Sequence, residues 1–267
     1  MRYYVGRSFF HEGGIFTPVI GKQYDPSVMY NKFNFRTNID IDVTKSTEVN
    51  LSLSNQYETK NRLGVDMATM YAFALQVLSI AVVPEFSDGT LSQPLVGANP
   101  YFMLNSTGFS QDFWNNSQSR IGVTQDFSNI ITDGLKANIK FSWDARNKST
   151  LDKRKTPETF YATGRDESGE LILVKNNDGN DYLSLNRSNR GARTTNMEAS
   201  LIYENLFNNI HRVGGLFLFS MREYTDNFPA NYIAAFPNRN IGIAGRATYS
   251  YMDKYFGEFN FDIPACP

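Results

Sequence analysis

Asp40 and Asp42 stand two residues apart in a stretch of alternating character, so both carboxylates lie on one face if that stretch is a strand. Two acids at such spacing can act as an acid/base pair only inside an enclosed pocket, and nothing around them in the chain suggests one. Their ordinary reading is a polar wall. His11 and His211 are the two histidines, and neither sits in a ligand-spaced cluster such as H-E-x-x-H. The oxygen-rich run 176–181 (Asn-Asn-Asp-Gly-Asn-Asp) lacks the spaced acids and terminal Glu of a calcium loop and reads as a solvated turn. Gly242 to Gly245 lacks the third glycine and the strand-turn-helix context of a dinucleotide fingerprint, and no Walker loop or nucleophile elbow is present. Trp114, read as part of a loop, has the flat face that stacks on a sugar ring, although packing within its own loop is the commoner use of such a side chain. These residues give no enzyme and no cofactor.

The elements that position them follow from period-two patterning. Phe33, Phe35, Thr37, Ile39, Ile41 and Val43 alternate with Asn34, Arg36, Asn38, Asp40 and Asp42, and after Thr44-Lys45-Ser46 the pattern resumes as Val49, Leu51, Leu53 and Tyr57 against Asn50, Ser52, Ser54 and Gln56. This predicts a hairpin with one oily and one polar face. Further hairpins are predicted from Ile121–Phe127 into Leu135–Trp143 across Asp133-Gly134, from Met197–Tyr203 into Val213–Met221, and from Ile241–Tyr251 into Tyr255–Phe261. Between the pairs lie long polar stretches, from Thr59 to Ser117 and from Asn147 to Arg193. One amphipathic helix is expected over Asp66 to Ser79, capped by Asp66 and presenting Met67, Met70, Tyr71, Ala74, Leu75 and Leu78, with Pro84, Pro94 and Pro100 breaking regular structure beyond it. The uncharged run from Met67 to Val83 falls short of the ~20 residues that a spanning helix needs.

Composition agrees with an all-β chain: 15 Tyr and 21 Phe among 267 residues favour strands. Twenty-six basic against 27 acidic residues give a net charge of -1, so no global field recruits nucleic acid. The single cysteine, Cys266, excludes an intrachain disulfide. Alternation of this kind suits a soluble sheet packed on a core as well as an outer-membrane barrel, whose outer band is apolar and whose lumen is polar. Alternating segments of about 10 to 13 residues and very long loops favour the barrel over the usual short globular strands.

The run Tyr30-Asn31-Lys32-Phe33-Asn34-Phe35-Arg36-Thr37-Asn38-Ile39-Asp40-Ile41-Asp42-Val43-Thr44-Lys45 resembles a barrel hairpin of SusC/RagA-type TonB-linked outer-membrane transporters. Glu12-Gly13-Gly14-Ile15-Phe16, Asn99-Pro100-Tyr101, Asp133-Gly134-Leu135-Lys136 and the run from Gly245 to Phe261 resemble the same family in the same order. The resemblance implies an antiparallel up-and-down meander that is part of a large outer-membrane β-barrel, with one short helix in a long loop. Residues 1–267 then form a partial barrel domain without plug or signal peptide, of about nine or ten strands by periodicity against ~22 in a closed plugged transporter. The implied function is import of nutrient oligosaccharides or peptides, with outer-membrane lipid, a SusD-like surface lipoprotein and TonB as partners, the TonB-contacting segment being absent here. Arg36, Asn38, Asp40, Asp42, Asn50 and Ser52 become lumen-facing and Trp114 a loop contact for substrate. The alternative is a soluble or surface-attached all-β binding protein or adhesin, in which the apolar stripe is a buried core.

Overall fold

The computed structural model describes residues 1–16, 19, 24–78, 80, 82–94 and 97–265. Ser79, the expected helix end, and Cys266 lie outside them. Nine strands form one antiparallel sheet in sequence order: β1 (Arg2–Gly13), β2 (Met29–Asp42), β3 (Thr47–Leu63), β4 (Gly108–Asp126), β5 (Leu135–Arg154), β8 (Ser184–Phe207), β9 (His211–Asp226), β10 (Asn238–Tyr251) and β11 (Tyr255–Ala265). β6 (Thr159–Arg165) and β7 (Leu171–Asn177) pair apart from it as a small hairpin. This is the expected up-and-down meander, and the sheet is open, because β1 and β11 are not paired with each other.

Connections alternate in length. Segments 43–46, 127–134, 208–210 and 252–254 are short and share one end of the sheet, whereas 14–28, 64–107, 155–183 and 227–237 share the other. Two of the short turns place residues other than glycine in left-handed backbone. Asn208 and Asn209 (φ 51° and 57°) and Met252 and Asp253 (φ 54° and 52°) build type I′ turns, closed by Ile210 N–H to Phe207 O and Lys254 N–H to Tyr251 O, each at 3.0 Å. Asn and Asp accept that conformation readily; Met252 does so under strain.

Seven of the nine sheet strands, all but β1 and β11, are longer than the 10 to 13 residues that alternation indicates, reaching 24 residues in β8. The long connections are correspondingly shorter than expected, starting at Gly64 rather than Thr59 and at Lys155 rather than Asn147. Strand pairing continues at the long-loop end where both faces are polar, as in Ser184-Leu185-Asn186-Arg187-Ser188-Asn189-Arg190, and there the ladder holds the strand without an alternating pattern.

The principal apolar core sits within the 64–107 loop, not on the sheet. Leu63, Met70 and Met103 are buried together, with Phe16, Val28, Phe73, Phe102 and Leu104 packed around them. Helix α1 (Met67–Gln76) starts where expected, with Asp66 accepting from Thr69 N–H. Its buried face differs from the expected one: Met70 is buried and Phe73 joins the core, while Leu75 is 85% exposed. Tyr71 reaches Phe16, ring to ring at 5.1 Å. A second helix, α2 (Pro100–Asn105), begins at the proline read as a breaker, since proline at a first helical position lacks only an N–H that has no partner there. Asn99 caps it from a fully buried position. Its Oδ1 accepts from Tyr101 N–H at 2.9 Å while its Nδ2 donates to the carbonyls of Pro84 (2.8 Å) and Ser92 (3.0 Å).

Asn99→Asp keeps the capping acceptor but removes both donors, leaving buried carbonyls beside a carboxylate, at about 1 to 3 kcal/mol per unsatisfied group. Hydrogen exchange across 82–94 should accelerate about tenfold or more in this variant while the β2–β3 amides keep their protection. Unchanged exchange in the loop would show that Asn99 does not hold it.

Candidate functional site

Register fixes which side chains share a face, because directly opposed residues point the same way. The pairing Val5–Thr37–Leu53–Ser119–Trp143–Thr195–Glu223–Arg239 runs across eight strands and joins odd-numbered residues throughout. Odd positions therefore form one face and even positions the other.

The odd face carries an apolar band. On β5 it comprises Leu135, Ala137, Ile139, Phe141 and Trp143, on β9 Val213, Gly215, Phe217, Phe219 and Met221, and on β2 Phe33, Phe35, Thr37, Ile39 and Ile41. Five alternate positions span roughly 27 Å along the strand at about 3.4 Å per residue, which a tilt of about 40° projects to about 21 Å, against the ~25 Å apolar belt of a membrane barrel. Among the described residues no second sheet covers the band: Phe33 (49%), Phe141 (44%) and Phe217 (49%) are exposed.

The band runs obliquely to the hydrogen-bond rows. Its centre is Thr37 on β2, whose row reaches β9 at Glu223, yet on β9 its centre is Phe217. A drift of six residues at about 3.4 Å, over five strand spacings of about 4.8 Å, corresponds to strands inclined by about 40° from the normal to the band. Membrane barrels tilt their strands by about 35–45°. Aromatic groups edge the band: Phe9, Phe33 and Tyr57 at the long-loop side of β1–β3, and Tyr249, Tyr251 and Tyr255 with His211 at the short-turn side of β9–β11. His211 shares a 2.7 Å hydrogen bond with Tyr249, and His11 one of 2.7 Å with Asn31. Arg7 is the charged side chain within the band, on edge strand β1 opposite Phe35.

The even face is polar and ionically cross-linked. Arg36, Asn38, Asp40, Asp42, Asn50 and Ser52 all lie on it. Ser52 Oγ donates to Asn38 Oδ1 at 2.7 Å, and Asn50 Nδ2 to Asp40 Oδ1 at 2.9 Å. Asp40 also meets Arg2 at 3.6 Å, so it is not a free acid/base group. Pairs Lys140–Glu198 (3.0 Å), Lys136–Asp126 (3.3 Å), Arg62–Asp112 (3.2 Å) and Lys32–Glu58 (3.6 Å) continue the pattern across strands. The exposed pairs among them, Lys140–Glu198 and Lys136–Asp126, add little stability, and their main consequence is a well-hydrated wall. A hollow of about 540 Å³ opens on this face among Arg120, Lys140, Asn196, Glu198 and Arg222.

Trp114 requires a correction. It belongs to β4, not to a loop, because pairing with Glu58 and Lys148 carries the strand through 113–116, and it lies on the polar face. The 176–181 turn is ordered by its own bonds: Asn177 Nδ2 donates to Pro157 O and Asn180 Oδ1 accepts from Thr156 N–H, both at 3.0 Å, while Asp178 points into solvent. Sequence reasoning missed the β6–β7 hairpin there, although Asp166-Glu167-Ser168-Gly169 between Thr159–Arg165 and Leu171–Asn177 carries its turn signal. The Asp166 carboxylate accepts from Ser168, which holds it below the usual carboxylate range, and Gly169 takes φ 87°. Among the described residues no cluster of three or more His, Cys, Asp or Glu is placed to hold a metal ion, and no helix is long and apolar enough to cross a membrane.

No protein-family model and no curated protein sequence matches the chain. Solved structures do. The RagAB peptide importer in its "closed-closed" state is similar over 98% of this chain, with a TM-score of 0.60 at 14% identity. The "open-open" state of the same importer gives 0.59 at 14% identity over the same share. The chain spans 30% and 29% of the length of those two chains. At this identity the likeness concerns the fold: an open antiparallel meander that matches part of a large β-barrel of the SusC/RagA-type architecture.

Proposed function

We propose that this chain is a section of the barrel wall of an outer-membrane, TonB-linked importer of peptides or oligosaccharides, with its odd face toward lipid and its even face toward a hydrated lumen. It contributes a wall and ligand contacts, and no chemistry on the ligand. The observation that supports this best is the oblique band: a soluble sandwich has no need for an uncovered apolar stripe that drifts across the rows at a barrel's strand inclination. The long connections then lie outside the cell, where a SusD-like surface lipoprotein seats on them, and the short turns face the periplasm, the side from which TonB supplies energy.

Single cysteines in the complete parent protein, with Cys266 replaced by serine, test it. Phe141→Cys should react with a membrane-soluble maleimide and resist a charged one, and Ser142→Cys, one residue on and on the opposite face, should do the reverse. Equal reaction of both positions with the charged reagent would overturn the reading.

A further inference from the structure

On the polar face near the long-loop end, register sets Lys32, Glu58, Trp114, Lys148 and Arg190 side by side, with Arg146 in the next row. All of these except Lys32 open onto a hollow of about 820 Å³ that is also lined by Tyr224 and Phe228. Three cations thus crowd one aromatic shelf. Lys148 and Arg190 are directly opposed, which is unfavourable for like charges, and the Lys148 ammonium lies 4.6 Å from the centre of the Trp114 ring.

The nearby acids are engaged elsewhere. Asp112 is buried and accepts from Thr150 at 2.7 Å and Arg62 at 3.2 Å, with Lys148 at 3.8 Å. Glu58 is held by Lys32, Tyr30 and Gln56. Asp226 accepts from Phe228 N–H at 2.9 Å. Among the described residues the side chains of Arg146 and Arg190 have neither hydrogen bond nor ion pair, and both residues are exposed. Two unengaged guanidinium forks beside a flat apolar shelf match a planar carboxylate on an extended ligand: each fork offers paired donors to the two oxygens, and the indole covers the adjoining apolar surface. The hollow has the size of an ordinary ligand site.

We propose that this hollow binds a carboxylate-bearing oligomer, with Arg146 and Arg190 holding the carboxylate and Trp114 the neighbouring residue of the ligand. The proposal rests on the even face being the lumen. Carboxylates of this kind come from acidic peptides or from uronate oligosaccharides, and the two arms of the experiment separate those sources.

The test is calorimetric titration of the complete importer in detergent with tetraglutamate and tetragalacturonate, each against a neutral counterpart, tetraglutamine and maltotetraose. At least one acidic probe should bind tenfold or more tightly than its counterpart, and which one does so identifies the source. Arg146→Gln/Arg190→Gln should weaken the acidic probe at least tenfold and leave the neutral one unchanged. Arg190→Lys, which keeps the charge and loses the fork, should fall between. Trp114→Ala should weaken acidic and neutral probes alike. Preference for the acidic probes below twofold, or a double variant within twofold of the parent, overturns the proposal. Charge-dependent binding by a protein whose Phe141 and Ser142 positions label as two aqueous faces would sustain this site and sink the barrel-wall reading. Correct labelling with no charge-dependent binding would do the opposite.

Discussion

Ile39→Arg in the complete parent protein is expected to reduce the amount of assembled, heat-modifiable barrel in the outer-membrane fraction at least tenfold, whereas Asn38→Arg leaves it unchanged. The two residues are adjacent on β2 and paired to Leu51 and Ser52 respectively, so backbone context is nearly constant and only the face differs. A cation on the lipid face near the midplane of a barrel costs about 2 to 4 kcal/mol, and about 1.4 kcal/mol corresponds to tenfold in an equilibrium. On the other side, the guanidinium introduced at Asn38 would join a wall that already holds Arg2, Arg36 and Asp40. Arg7 sharpens the comparison. It occupies the band of β1, so Arg7→Leu should leave assembly unchanged or raise it. Equal yields of the Ile39 and Asn38 variants would show that the faces are assigned to the wrong environments.

Gly134→Ala is expected to destabilise the assembled protein by at least about 2 kcal/mol, a large effect for one methyl group. Gly134 takes φ 81° in the turn between β4 and β5, where a residue with a Cβ costs of order 1 to 3 kcal/mol on backbone grounds. A Cβ there would also overlap the Glu204 carbonyl oxygen, at the place where Glu204 N–H donates to Gly134 O at 3.0 Å and locks this turn to the end of β8. Gly215→Ala is the control. It lies mid-strand in β9 without left-handed backbone and with open space where its Cβ would stand. A lower temperature for the heat-induced gel shift in the Gly134 variant, with none in the Gly215 variant, is the expected result; equal shifts would remove the steric argument.

Much of this architecture is legible in the chain where one side of the sheet is oily. The hairpins at Thr44-Lys45-Ser46, Asp133-Gly134 and Met252-Asp253-Lys254, the two-sidedness of β2 and β3, and the Asp66 cap follow from side chains and backbone preferences of neighbouring residues. At the long-loop end those signals vanish, because both faces there meet water and hydrogen bonding between strands needs no particular side chain. This is why 184–193 reads as loop in the sequence and why Trp114 does too. The burial of Asn99 is hidden for a related reason: its partners Pro84 and Ser92 are local, but which carbonyls turn inward depends on the fold of the whole loop.

The sequence by itself determined that this chain alternates between an apolar and a polar side, since period two is a property of consecutive residues. Only the tertiary structure decided how those sides add up across strands. Register between segments as distant as Thr195 and Glu223, or Lys148 and Arg190, turns separate stripes into one inclined band and one cationic hollow. The tight turn at Asn208 and Asn209 fixes the first of these registers, whereas the second joins strands separated by residues 155–183 and is set by matching apolar and polar sides across the sheet.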